Sequence, residues 1–117
     1  MKEGIAKFND KNNKIAIVKG FFCDEKETLF LQTHEKENDQ WVNIPYAITH
    51  LSSGIRIVNS YFLGLNLEKI KEIAKALNPE IFKNFTKEDY LAKNMKYKEV
   101  LDHVLKILLE NFNVIFK

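Results

Sequence analysis

The sequence predicts an α+β fold in which a small antiparallel sheet of about five strands is followed by two C-terminal helices. Three observations carry this expectation. The first half alternates short β-branched and aromatic runs with polar turns. Its connections are far shorter than the dozen or more residues of a parallel crossover. From Asn66 onward the apolar period changes from that of a strand to that of a helix. At 117 residues the chain can bury one core and is too short for two, so 1–117 reads as a single domain with a sheet half (1–62) and a helical half (66–117).

Each element follows from its residues. Ile5 to Phe8 is the first strand, and the Asn9–Asn13 cluster is a turn. Lys14 to Phe22 is a second strand with apolar weight on both faces, which suits a central position. After a charged turn at Asp24–Glu27, Thr28 to Thr33 forms the third strand, and His34–Gln40 has the charge density of an exposed hairpin loop. Trp41 to Ile44 starts a fourth strand, Pro45 marks an edge, bulge or bend, and Tyr46 to His50 continues it; a helical turn over Tyr46–Leu51 is the competing reading. Ile55 to Phe62 returns as the fifth strand.

In the second half Asn66 caps a helix whose Leu67, Ile70, Ile73, Ala74 and Leu77 recur at helical spacing, and Asn78-Pro79 stops it. Thr86 and Asp89 have the spacing of a capping box and open the second, long helix, which Asn94 would bend. Along it Tyr97, Val100, Leu101, Val104, Leu105, Leu108 and Phe112 draw an apolar stripe. Two readings of that stripe stand. Either Tyr97, Leu101, Val104, Leu108 and Phe112, with the greasy tail at 113–117, form a homo-oligomer interface, or the stripe packs on the sheet of its own subunit.

Composition limits the function. Hydrophobic residues at 45% and charged residues at 29% are those of a soluble globular protein. No apolar run could cross a bilayer, and the N-terminus has no signal-peptide core. The single Cys23 implies a reducing, cytoplasmic setting. A net charge of +2 gives no footprint for duplex nucleic acid, so neither a membrane nor duplex DNA or RNA is an expected partner. There is no phosphate-binding glycine loop, zinc spacing or nucleophile elbow. The expectation is therefore no enzyme, no cofactor and no metal site, since His34, His50 and His103 are too dispersed to form one.

Two constellations remain as ligand sites. In the first, Thr49, His50, Ser52 and Ser53 concentrate donors and acceptors at one turn, Gly54 permits close backbone approach, and Arg56 follows. Arg56 is the one arginine beside seventeen lysines, and its planar fork suits phosphate or carboxylate. The same residues also make an ordinary hairpin turn with Arg56 on a solvated face. In the second, Phe82, Phe85 and Tyr90 offer faces for a base, with Asn84, Lys93, Asn94 and Lys96 nearby; the alternative is that both phenylalanines fill the space between sheet and helices.

The run YAITHLSSGIRI followed by an IxxIAKAL helix resembles a pattern found in small phage and prophage proteins. The order of sheet and helices is similar to the first type of Thoeris anti-defence protein, a sponge that sequesters a cyclic ADP-ribose signal in oligomer pockets. That resemblance implies a non-enzymatic phage or prophage protein acting in the cytoplasm of a bacterial host. Its implied ligand is a cyclic or ADP-ribose-type signalling nucleotide, with Phe82 stacking the base, Asn94 reading it and Arg56 holding phosphate. Binding of a host defence protein, as an anti-CRISPR inhibitor does, is the alternative, and a small structural or assembly dimer is a third.

Overall fold

The computed structural model describes residues 1–60 and 64–112, the side chains of 111 and 112 excepted. Five strands lie side by side in chain order, every neighbouring pair antiparallel: β1 (Lys2–Asn9), β2 (Ile15–Phe22), β3 (Leu29–Glu37), β4 (Gln40–His50) and β5 (Ile55–Asn59). Among the described residues three α-helices follow, α1 (Leu67–Ala76), α2 (Lys87–Ala92) and α3 (Met95–Phe112), with a 3-10 turn at Pro79–Phe82 after α1. The α+β expectation holds, with three described helices where the sequence suggests two.

Local chemistry sets the turns. Asp10 Oδ1 accepts from the backbone N–H groups of Asn12 at 2.8 Å and Lys14 at 3.0 Å, closing the β1–β2 hairpin. Asp24 Oδ1 does the same for Thr28 and Leu29 ahead of β3. The β3–β4 connection corrects the expected loop over His34–Gln40. His34 to Glu37 remain in β3, and only Asn38 and Asp39 turn, both in the left-handed region (φ 49° and 63°) that Asn and Asp tolerate best after glycine. β4 runs unbroken to His50, so the helical alternative at Tyr46–Leu51 is excluded. Pro45 falls inside the shift of register between the Ala47 and Asn43 pairings, where its missing N–H leaves no ladder bond unmade. β5 ends at Asn59; the expected extension through Tyr61 and Phe62 lies outside the described residues.

The helices start where their caps do. Asn66 accepts from the Lys69 N–H at 2.8 Å to open α1. Thr86 and Asp89 form the full reciprocal box at 3.1 and 3.0 Å, and α2 begins there. α2 then stops rather than bends. Lys93 turns left-handed (φ 50°), and the Asn94 side-chain oxygen accepts from the Tyr97 N–H at 3.1 Å, capping a new helix.

Side chains alternate across the sheet, and its two faces are buried differently. On the outer face Leu29, Leu31, Ile48 and Val58 pack against Ile70, Ile73, Phe82, Phe85, Val100, Val104 and Leu108 from the helical half. Burial of such side chains stabilises by roughly 1.5–3 kcal/mol each. On the inner face Ala6, Val18 and Phe30 form a second cluster with Phe8, Phe22 and Leu51, and among the described residues no helical one joins it. That face is closed by the sheet's own curl, which register shifts in β2–β3, β3–β4 and β4–β5 promote. The curl carries the end of β1 onto the β4–β5 turn. There Gly54, at φ +72°, lies so near that a Cβ on it would be 1.7 Å from the Asn9 carbonyl oxygen.

Candidate functional site

Arg56 stands opposite Thr49 in the β4–β5 ladder, and Asn59 stands opposite Ala47, so both face inward. Phe8 and Ala16 pair across β1 and β2, and Glu35 pairs with Val18, which puts all three on that same inner face. Because the sheet curls, these residues converge on a concavity of about 430 Å³. The turn residues Asp10, Lys11 and Asn12 form one wall, Gly54 and Ile55 another, and Tyr90 of α2 a third. Lys87 holds α2 against this hairpin, its Nζ donating to Asn13 Oδ1 at 2.7 Å.

The electrostatics are mixed and largely uncommitted. Among the described residues Arg56, Lys11 and Glu35 make no hydrogen bond or ion pair. Asp10 is partly engaged, since its backbone bonds, that from Lys14 foremost, hold its carboxyl below the usual range. The concavity therefore offers a guanidinium and an ammonium for an anion, carboxylate oxygens for hydroxyl donors, and two aromatic rings. Tyr90 is also packed edge to face with Tyr97, centroids 5.7 Å apart, which fixes its ring.

The other sequence-derived candidates are placed elsewhere. Thr49 is buried and donates to Gln32 Oε1 at 2.8 Å. The His50 ring meets Ser53 Oγ at 2.7 Å and Ser52 Oγ at 3.3 Å, while Ser53 Oγ accepts from the Ile55 N–H. His50 is only 2% exposed, and burial, with Lys96 adding to it, pulls its pKa down to about 4. The hydroxyl-rich turn thus satisfies itself, and of it only Ser52 is open to solvent. Phe82 is wholly buried, 5.9 Å from the His50 ring and 6.2 Å from that of His103, and Phe85 lies 5.5 Å from His50. His50 of the first constellation and Phe82 and Phe85 of the second pack on one another as core, which leaves Phe82 no free face for a base.

Asn94 holds Asp89 Oδ1 through its Nδ2 at 2.7 Å while its oxygen caps α3. Lys96 donates to the Ile81 carbonyl at 2.9 Å. Both are structural fastenings. Of the residues the two constellations name, the concavity brings together Gly54, Arg56 and Tyr90. On α3, Val104 and Leu108 are buried in their own chain's core, Tyr97 is half-buried, and Leu101 is 37% exposed, so the second reading of the stripe describes most of it; the Phe112 side chain and the tail lie outside the described residues.

Burial, with Asp24 beside it, pushes the Cys23 thiol up to about 12, which disfavours the thiolate. His103 Nε2 accepts from the Asn78 N–H at 3.0 Å. Among the described residues no cluster of His, Cys, Asp or Glu could hold a metal ion, and no helix is long and apolar enough to cross a membrane.

No local pattern marks Phe8, Lys11, Asn12, Glu35 and Asn59 as wall residues, because the sheet's curl and not local spacing assembles them. Set against protein-family models, curated proteins and solved structures, the chain matches none of them.

Proposed function

We propose that this chain is a non-enzymatic binding protein whose concavity holds a small anionic ligand, and that the ligand is a signalling nucleotide of cyclic or ADP-ribose type. The observation that carries this is the uncommitted Arg56 at a concavity shared with Tyr90 and Phe8. Arg56 and Lys11 suit a phosphate. Glu35 can accept from ribose hydroxyls, as acidic residues do in dinucleotide sites. Tyr90 and Phe8 supply apolar ring surface for a base. A plain inorganic anion would use only the cationic half of this wall. Sequestration of such a signal is how a phage or prophage protein would antagonise a bacterial defence system.

The test is calorimetric titration with ADP-ribose and with cyclic ADP-ribose, followed by heat release and mass spectrometry of the bound fraction. The reading expects an intact nucleotide to be returned. It expects Arg56→Ala to weaken binding by about 1.5–3 kcal/mol, roughly tenfold to a hundredfold, the range for a hydrogen bond to a charged group. No heat with either nucleotide removes the ligand assignment, and a chemically altered nucleotide identifies an enzyme.

A second reading, capping of a host defence protein, is favoured by Leu91 and Met95, which are 65% and 79% exposed on either side of the α2–α3 break. It expects Leu91→Asp to abolish co-purification with a protein from a defence-bearing host while nucleotide titrations remain flat.

A further inference from the structure

β1 is an edge strand of the sheet, and its backbone shows which residues face outward. The Asp10 N–H bonds to the Lys14 carbonyl at 2.8 Å, and bonded pairs alternate along an antiparallel ladder. Even-numbered residues of β1 therefore direct their N–H and C=O groups to β2, and Glu3, Ile5, Lys7 and Asn9 direct theirs away from the sheet. The Asn9 carbonyl already lies against Gly54, in keeping with this parity. The side chains of Glu3, Ile5 and Lys7 are exposed, Ile5 at 58%.

An open edge of this kind is a template for another strand unless its side chains repel one. Here they do the reverse. A second β1 laid antiparallel with Ile5 against Ile5 brings Glu3 opposite Lys7 and Lys7 opposite Glu3. All three pairs use outward-facing backbone groups, so side-chain register and hydrogen-bond register coincide. On the other face the same register sets Gly4 against Ala6, two small residues that let the backbones meet. Shifting by one bonded pair sets Ile5 against a charged residue and loses both charge pairs.

We propose that two copies of this chain associate through β1, as a two-fold pair centred on Ile5, and join their sheets into one. The pairing spans Glu3 to Lys7 and stops there, because the Gly54 turn covers the edge at Asn9. Antiparallel pairing places the two Arg56 concavities at opposite ends of the shared ladder, since each lies at the C-terminal end of its own β1. The dimer is therefore independent of the ligand assignment above. It also moves the self-association surface from α3, whose stripe is mostly buried, to β1.

Charge exchange tests it. Sedimentation equilibrium of the wild-type chain across micromolar to millimolar concentration is expected to show twice the 13.7 kDa chain mass at the upper end. Glu3→Lys alone, or Lys7→Glu alone, puts like charges opposite each other twice per dimer and is expected to weaken association roughly tenfold to thirtyfold. The double variant Glu3→Lys/Lys7→Glu restores the pairs and the dimer, and so does mixing the two single variants. Unchanged circular dichroism in all of them separates this effect from misfolding, and Arg56→Ala is expected to leave the mass unaffected. A wild-type chain monomeric throughout, or single variants that dimerise as well as the wild type, overturns the proposal.

Discussion

Gly54→Ala tests the curl that builds the concavity, and the chain carries its own control for it. Gly54 and Gly64 both have positive φ, +72° and +64°, so alanine meets the left-handed penalty at either site, about 1–2 kcal/mol. They differ in surroundings. At Gly64 an added Cβ meets nothing within 4 Å, whereas at Gly54 it would lie 1.7 Å from the Asn9 carbonyl oxygen and 3.2 Å from Asp10 Cα. Real Cβ contacts do not fall below 3.0 Å, so the β1–β2 hairpin must retreat by about 1.3 Å, the difference between those two distances. Backbone shifts forced by one extra methyl cost about 1–3 kcal/mol. Gly64→Ala should thus cost about 1–2 kcal/mol and Gly54→Ala about 2–5 kcal/mol. Urea denaturation followed by circular dichroism measures both on one scale. Equal losses, within about 0.5 kcal/mol, would refute the argument that β1 closes on this turn.

Two further outcomes follow from the buried and capping groups. His50 has a folded pKa of about 4 against an ordinary value of 6.5, so the stability that its neutral form contributes is complete above pH 6.5 and is lost as pH falls towards 4. The shift bounds that loss at about 3 kcal/mol; an NMR titration of the ring with a midpoint near 6.5 would contradict the burial argument. Thr86→Ala removes the side-chain acceptor for the Asp89 N–H and should destabilise α2 by about 1 kcal/mol, read as roughly fivefold faster amide exchange at Asp89 and Tyr90. Unaltered exchange there would show that the cap does not hold the helix.

What the sequence revealed depended on range. Asn66, Thr86 with Asp89, and Asn78-Pro79 each act within one turn of chain, and each appears in the structure where its chemistry placed it. The antiparallel sense of the strands follows from connection length, whereas their order side by side does not. The β3–β4 connection is shorter than its composition suggests because charged residues such as Glu35 and Lys36 sit as readily on an exposed strand as in a loop. The bend expected at Asn94 is instead a break, since nothing local distinguishes an Asn that disturbs a helix from one that caps the next. The THLSSG turn misled for a different reason. Its polarity suggested solvent, yet Phe82 and Phe85, about thirty residues later, cover it, and each polar atom finds a partner among its neighbours instead.

That burial bears on what a ligand site can be in this fold. A hydroxyl or imidazole already bonded within the core cannot turn to a ligand without leaving a partner unpaired, at about 1–3 kcal/mol per group. Arg56 differs because it is the alternating neighbour of the core residues: the register that sends Ile55 and Val58 into the outer cluster sends Arg56 to the inner face. A site built at that face inherits its geometry from the curl, since Phe8, Lys11 and Arg56 meet only while the β1–β2 hairpin rests on Gly54. Any ligand that bridges Lys11 and Arg56 therefore binds the closed sheet better than the open one, and by linkage stabilises the contact between the Asn9 carbonyl and Gly54 that forms its own pocket.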